Sequence, residues 1–269
     1  MLEQREIIFD SDLNVEGLLF NGIKQKFPNH FHEYYVIGCI EQGARKLHCK
    51  GQEYTLLPGD LILLNPYDNH ECLQLDSCPL VYRNIHIEIE VMATIMEDHF
   101  NSSVLPLFHT NVVSQSKEVP TLQILHRLIL DNSQDSLEKE ELFLLLLSEL
   151  LTEYADYQEL NTVASFELDK ICTYLNQHYS EKIALTTLSH LVSMNKYTFI
   201  RTFTKSYGLT PFQYLTTIRV NQAKKLLEQG IAIADIAHST GFSDQSHLTR
   251  LFKSLIGVTP KMYQKIYSK

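Results

Sequence analysis

No apolar run in this chain is long enough to cross a bilayer. The longest, Leu142–Leu147, is far short of a membrane span and is flanked by Glu141 and Glu149. The start, Met1-Leu2-Glu3-Gln4-Arg5-Glu6, lacks the basic-then-apolar build of a secretory signal, so a cytoplasmic protein is expected. The five cysteines (Cys39, Cys49, Cys72, Cys78 and Cys172) are odd in number and have no C-x-x-C spacing. A disulfide framework is therefore not expected, and they read as small buried hydrophobes in a reducing compartment. Because four of them fall in the first 80 residues, a redox-sensing role stays open. The chain also lacks a phosphate-binding glycine loop and any recognisable nucleophile setting, so no catalytic residues and no cofactor are expected. Its 10 Gly and 8 Pro are not clustered, and 44% hydrophobic with 20% charged residues is the composition of a folded protein.

The net charge of −9 is unevenly spread. Residues 1–160 hold 10 Lys/Arg against 26 Asp/Glu, whereas residues 161–269 hold 13 against 6. An acidic front and a basic back imply two domains with different partners, and only the back has the sign that attracts phosphates. Between residues 7 and 89, segments such as Tyr34–Ile37, Gln52–Leu57, Leu61–Leu64 and Tyr82–Glu88 are rich in β-branched and aromatic residues. Turn signals such as Lys50-Gly51 and Pro58-Gly59-Asp60 separate them. Spacing of roughly ten residues predicts an all-β sandwich or barrel. From Leu122 the period becomes helical, with one helix through Ile129 and a second over 136–157. The second is apolar nearly all round, which calls for cover on more than one side and makes residues 121–157 the expected dimerisation element. The polar stretch 157–165 reads as a linker, giving domains of 1–160 and 165–269.

The back domain reads as helical throughout, at 166–178, 185–191, 196–207, 211–229, 232–239, 244–256 and 260–267. Two of its helix pairs follow one plan. In the first, the turn Ser193-Met194 and the cap Asn195 lead into a helix anchored by Phe199, Ile200 and Phe203, then Gly208-Leu209-Thr210-Pro211. In the second, Gly241-Phe242 and the cap Ser243 lead into Leu248, Leu251 and Phe252, then Gly257-Val258-Thr259-Pro260. The turns are 48 residues apart and the Gly-x-Thr-Pro ends 49. Glycine permits a positive φ at a sharp turn, Asn or Ser caps the helix start, and Thr-Pro opens the next helix. Each pair is a helix-turn-helix whose second helix can enter a major groove. Two copies allow one subunit to read two successive groove faces.

The run Ile233–Lys253, closing on Gly257-Val258-Thr259-Pro260, resembles the hallmark of the AraC/XylS family of bacterial transcription regulators, and the resemblance covers roughly residues 165–265. It implies base contacts from the early helix positions: Lys196, Tyr197, Thr198, Ile200 and Arg201 in the first unit, and Asp244, Gln245, Ser246, Thr249 and Arg250 in the second. Side-chain chemistry supports part of this set, since Gln245 can pair with adenine and Arg201 or Arg250 with guanine. Lys205, Arg219 and Lys253 are candidate phosphate contacts. The first unit departs from the family pattern at Ser189 and Ser193, and Ile200 fits either an apolar base contact or the core.

The front half resembles the cupin-like ligand-binding domain often joined to such regulators, through His30-Phe31-His32, Gly43, the run from Pro58 to Pro66, and His70. The implied fold class is a multi-domain α and β protein: an N-terminal cupin-like β-barrel with dimerisation helices, then an all-α domain with two helix-turn-helix units. His30, His32 and His70 are the weak metal candidates. The glutamate that cupin metal sites place near position 36 is Val36 here, and Glu33 is badly placed as a substitute, so no metal is expected. An organic effector is the favoured occupant, with His32, Tyr34, Arg45, His48, Tyr82 and His86 as candidate lining. The same residues also fit ordinary core or surface positions.

The expected function is a sequence-specific DNA-binding transcriptional regulator, an activator responding to a small-molecule effector. Its expected partners are promoter DNA, the effector, a second copy of the chain and RNA polymerase, with no membrane. Two alternatives remain: a ligand-independent regulator whose front domain only dimerises, and a metal-dependent cupin enzyme.

Overall fold

The structure, a computed structural model, describes residues 3–131, 136–157 and 166–267. Most of the expected linker, and the boundary it was to mark, lie outside the described residues. Contacts divide the chain into two units: residues 1–26, 32–68 and 72–161, and residues 27–31, 69–71 and 162–269.

The strands are β1 (Gln4–Asp10), β2 (Val15–Ile23), β3 (Phe27–His30), β4 (Tyr34–Gln42), β5 (Arg45–Cys49), β6 (Gln52–Leu56), β7 (Leu61–Leu64), β8 (His70–Gln74) and β9 (Leu80–Glu88). Helix α1 (Ile89–Phe100) follows, then short strands β10 (Leu107–Phe108) and β11 (Val112–Val113), helices α2 (Val119–Asp131) and α3 (Ser136–Tyr154), and β12 (Ala155–Asp156). A six-stranded sheet runs β1-β2-β9-β4-β7-β11, a four-stranded sheet β3-β8-β5-β6, and β10 pairs with β12.

Among the described residues, the expected closed barrel is not present. β1 and β11 are the two free edges of the larger sheet, and the remaining long strands belong to a different sheet. Closure needs every strand paired on both sides with consistent tilt and stagger, which alternation and turn spacing do not encode. The mixed α and β character and the helical C-terminal region stand as expected.

One face of the larger sheet carries the core. Tyr35, Ile37, Cys39, Leu61, Leu63, Ile85 and Ile87 pack with Leu122, Leu125 and Ile129 of α2 and with Phe143, Leu146, Leu147 and Leu150 of α3. Burying that much apolar surface is the main stabilising contribution. Leu145 of α3 is half-exposed, whereas Phe143, Leu146, Leu147 and Leu150 face the core. In a helix apolar nearly all round, sequence alone leaves the rotation of the core face undetermined. Lys139 settles it: its ammonium, 3% exposed, reaches Asp10 Oδ2 at 2.6 Å and Asp12 Oδ2 at 2.7 Å, tying α3 to the β1–β2 turn.

The second unit contains α4 (Phe166–Gln177), α5 (Leu185–Leu191), α6 (Lys196–Tyr207), α7 (Pro211–Glu228), α8 (Ile233–Ser239), α9 (Gln245–Ile256) and α10 (Pro260–Lys265). These match the helical segments read from periodicity to within two residues at each end. Among the described residues, no helix is long and apolar enough to cross a membrane.

Candidate DNA-reading surface and sensing face

The turns of the two helix pairs α5–α6 and α8–α9 make the same two backbone bonds. In the first turn Ser193 N donates to His190 O (3.0 Å) and Met194 N to Ser189 O (2.9 Å). In the second, Gly241 N donates to His238 O (3.3 Å) and Phe242 N to Ala237 O (2.9 Å). Both turn residues have positive φ, +51° at Ser193 and +80° at Gly241. The first unit thus adopts, with a serine, the left-handed conformation that a side chain disfavours. Ser189, at the position of Ala237, is buried, and its hydroxyl is satisfied by Thr186 O at 3.1 Å. Both second helices end on a left-handed glycine: Gly208 N donates to Thr204 O, and Gly257 N to Lys253 O.

The starts of α6, α7 and α10 are capped by side chains, as the sequence pattern predicts for Asn195, Thr210 and Thr259. Asn195 Oδ1 accepts from Thr198 N at 2.9 Å, and Thr210 with Gln213 forms a reciprocal capping box at the start of α7. In the second unit the cap is Asp244 instead of Ser243. Its Oδ1 accepts from His247 N at 2.8 Å, while Ser243 Oγ donates to Asp244 Oδ2. A carboxylate satisfies the positive end of a helix better than a hydroxyl, and the bond to His247 N holds its pKa below the ordinary aspartate value.

With Phe199 and Phe203 turned inward, α6 presents Lys196, Tyr197, Thr198, Arg201 and Lys205 to solvent, and Tyr197 is 73% exposed. Ile200 is half-buried beside them. In α9, Leu248 and Phe252 are buried, whereas Gln245, Ser246, Arg250 and Lys253 are exposed and Thr249 is half-buried. Each second helix therefore carries the polar candidates on the face opposite its aromatic anchors. Arg219 is placed differently: on α7 its Nε donates to Tyr179 O at 2.7 Å and its Nη2 to Glu181 O at 2.8 Å.

In the N-terminal unit, the face of the larger sheet opposite α2 and α3 carries a polar cluster among apolar residues such as Leu18 and Val36. Strand alternation puts Tyr34, Asn84 and His86 there, and Glu16 of β2 lies directly across from His86. Tyr34 and His86 stack at 4.4 Å, His32 and Tyr34 at 4.7 Å, and His86 Nδ1 lies 3.2 Å from Glu16 Oε2. All five side chains are buried. Tyr82 is on the same strand face, next to Phe20, and burial pushes its hydroxyl pKa upward. The structure thus brings His32, Tyr34 and His86 together and adds Glu16, a buried acid of β2 that the sequence reading passed over.

Arg45 is fully buried, but its guanidinium donates to Ile23 O (2.8 Å) and Ala44 O (3.0 Å). His48 occupies the other face of β5, paired with Glu53 at 2.8 Å. His30 and His70 stack at 4.5 Å, with His30 Nδ1 2.6 Å from Pro28 O. Burial, reinforced by His70, lowers the His30 pKa to about 3, so it is neutral at physiological pH.

Residues 12–147 match the family described as AraC-like ligand binding domain, and residues 188–266 match a helix-turn-helix domain. The chain is 48% identical over 269 residues to the HTH-type transcriptional regulator YbfI of Bacillus subtilis, covering 99% of this chain and 98% of that protein. It is 26% identical to the transcriptional activator RhaS of Escherichia coli, over 87% of this chain and 86% of that one. Among solved structures, apo ToxT from Vibrio cholerae has the same overall fold, with a TM-score of 0.59 at 15% identity, covering 97% of this chain and all of that one. An unsaturated fatty acid-bound ToxT scores 0.53 at 17% identity, over 94% and 95% of the two chains. The repeated helix pairs, their exposed second helices and these matches lead to one conclusion: the chain belongs to the AraC/XylS family of helix-turn-helix transcriptional regulators, sequence-specific DNA-binding proteins and not enzymes.

Proposed function

We propose that this regulator reads promoter DNA through α6 and α9 and that a small polar effector, held against the buried face of its larger sheet, controls it as an activator. The observation that carries the DNA reading is the repetition of the two helix pairs, which share their turn bonds and left-handed glycine ends and each present a polar, exposed second helix. Gln245 and Arg250 are the base readers in the second unit. Lys196, Tyr197, Thr198 and Arg201 serve in the first, with Ile200 at its margin. Ser246 and Thr249 add hydroxyl contacts, and Lys205 and Lys253 bind phosphate. Asp244, whose carboxylate is engaged in capping, holds the start of α9 in place for them.

The effector reading rests on the buried cluster of Glu16, His32, Tyr34, Asn84 and His86. Polar groups converging on one face of the sheet, among apolar neighbours, are the kind of lining that orients a ligand rich in hydroxyl or carbonyl groups. Activation follows the described role of RhaS and brings RNA polymerase in as a partner. Dimerisation through α2 and α3 is supported by Ile124, Leu137 and Leu145, which are 40%, 68% and 50% exposed.

Thermal unfolding of the purified protein against a panel of sugars, polyols and small carboxylic acids tests the effector reading. One compound should raise the midpoint for the wild type and not for Tyr34→Phe or His86→Gln. A panel without effect, or equal shifts in all three proteins, would contradict it. Light scattering on the DNA-bound protein tests the dimer, and monomers alone would refute that part.

A further inference from the structure

Arg219 lies on α7, the helix that joins the two helix-turn-helix units, and it was read from sequence as a phosphate contact. Its guanidinium is turned onto the protein instead. Nε and Nη2 donate to Tyr179 O (2.7 Å) and Glu181 O (2.8 Å), carbonyls of the segment that leads from α4 into α5, the first helix of the first unit. That segment is closed on itself: Glu181 N donates to His178 O at 2.9 Å, and the Glu181 carboxylate meets His178 Nδ1 at 2.8 Å. From the other side comes the turn of the second unit. A Cβ placed on Gly241 would lie 2.8 Å from Ser180 O and 2.9 Å from both Tyr179 O and Arg219 Nη2. The entry to one unit, the joining helix and the turn of the other unit therefore meet at a single guanidinium.

We propose that Arg219 is a positioning residue that sets the spacing between α6 and α9, and hence the spacing of the two DNA segments the protein accepts. Tyr179 and Glu181 lie beyond the end of α4, so their carbonyls have no intrahelical partner. A planar guanidinium satisfies both in a fixed direction, which a flexible ammonium does not. Burial lowers the Arg219 pKa, and the group stays charged because an arginine begins so high. The contact orients helices and reads no base. The proposal rests on both units engaging DNA.

The test begins with selection of bound duplexes from a random-core library by the full-length wild-type protein, followed by the same selection with Arg219→Met and Arg219→Lys. The wild type should yield two sequence elements at a narrow spacing. The variants should yield the same two elements with a broadened spacing. On the wild-type consensus duplex, their slope of log Kd against log salt should equal that of the wild type. A phosphate contact would behave differently: its removal lowers the salt slope by about 1 and leaves the spacing preference intact. That result overturns the proposal. A wild type that selects only one element overturns the two-reader premise itself, which is a distinguishable failure. Should Arg219→Met fail to fold, Arg219→Lys keeps the charge and so leaves the slope unchanged on either reading, but it still tests the spacing, and unchanged spacing with that folded variant counts against the proposal.

Discussion

Gly230 and Gly241 share a backbone conformation and differ in surroundings, which separates two costs that usually arrive together. Their φ values are +75° and +80°. An alanine in this left-handed region loses about 1–2 kcal/mol relative to its preferred conformations. Reduced freedom of the unfolded chain returns about 0.4–1 kcal/mol. At Gly230 an added Cβ meets nothing within 4 Å, so Gly230→Ala should cost only the difference, about 1 kcal/mol. At Gly241 the same carbon meets two backbone carbonyls and the Arg219 guanidinium, all at or below 2.9 Å. The carbonyls cannot swing aside as a side chain would, so overpacking adds about 1–3 kcal/mol. Gly241→Ala should therefore lose about 2–4 kcal/mol. Urea unfolding of the full chain, followed by circular dichroism at 222 nm, gives both values, and hydrogen exchange in α8 and α9 localises the effect. Equal losses at the two positions would refute the tight junction around Gly241.

Two further predictions concern the first unit. Lys139→Met removes the partner of Asp10, which is 1% exposed, and should destabilise by about 3–5 kcal/mol. Adding Asp10→Asn should recover part of that loss, and a Lys139→Met protein as stable as the wild type would show the tie to be unimportant. His126 is buried on α2, with Nε2 2.8 Å from Leu18 O and Nδ1 3.3 Å from Arg83 Nη1, and burial lowers its pKa from 6.5 to about 4. Between those values the unfolded chain binds the extra proton, so stability is intact above pH 6.5 and is lost as the pH falls toward 4. The loss attributable to this group reaches about 3 kcal/mol, and His126→Gln should flatten the stability profile in that window. An unchanged profile would contradict the assignment.

The helix-turn-helix units were legible in the sequence because their determinants are local. Caps, left-handed glycines and Thr-Pro starts act within a few residues, so Asn195, Gly208, Thr210 and Gly257 could be placed by inspection. The neighbouring cap at Asp244 was misplaced by one residue because Ser243 and Asp244 are both good caps and only backbone geometry separates them. Helix α1 was missed because the alternation of β9 runs up to Glu90, hiding the helical spacing of Met92, Ile95 and Met96. Barrel closure was misjudged because it depends on which strands pair, a property of the whole sheet. On the proposed effector face, period-two alternation accounts for the shared side of Asn84 and His86. It could not find Glu16, whose partner His86 is 70 residues away, nor show that backbone carbonyls engage the Arg45 guanidinium. Arg219 illustrates the same limit, since a basic residue in a DNA-binding domain reads as a phosphate contact until its partners are seen.

The central claim is that exposed polar residues of α9 read base edges while its buried anchors hold the fold. Replacing Gln245 and Arg250 together by alanine separates these roles, because both are exposed. Binding of the folded double variant to the wild-type consensus duplex and to duplexes changed at single positions is the most direct measurement. The expected result is unchanged thermal stability, with discrimination at the positions facing α9 reduced by about 1–3 kcal/mol per lost bidentate pair. A folded double variant that keeps the wild-type preference at every position would contradict the claim.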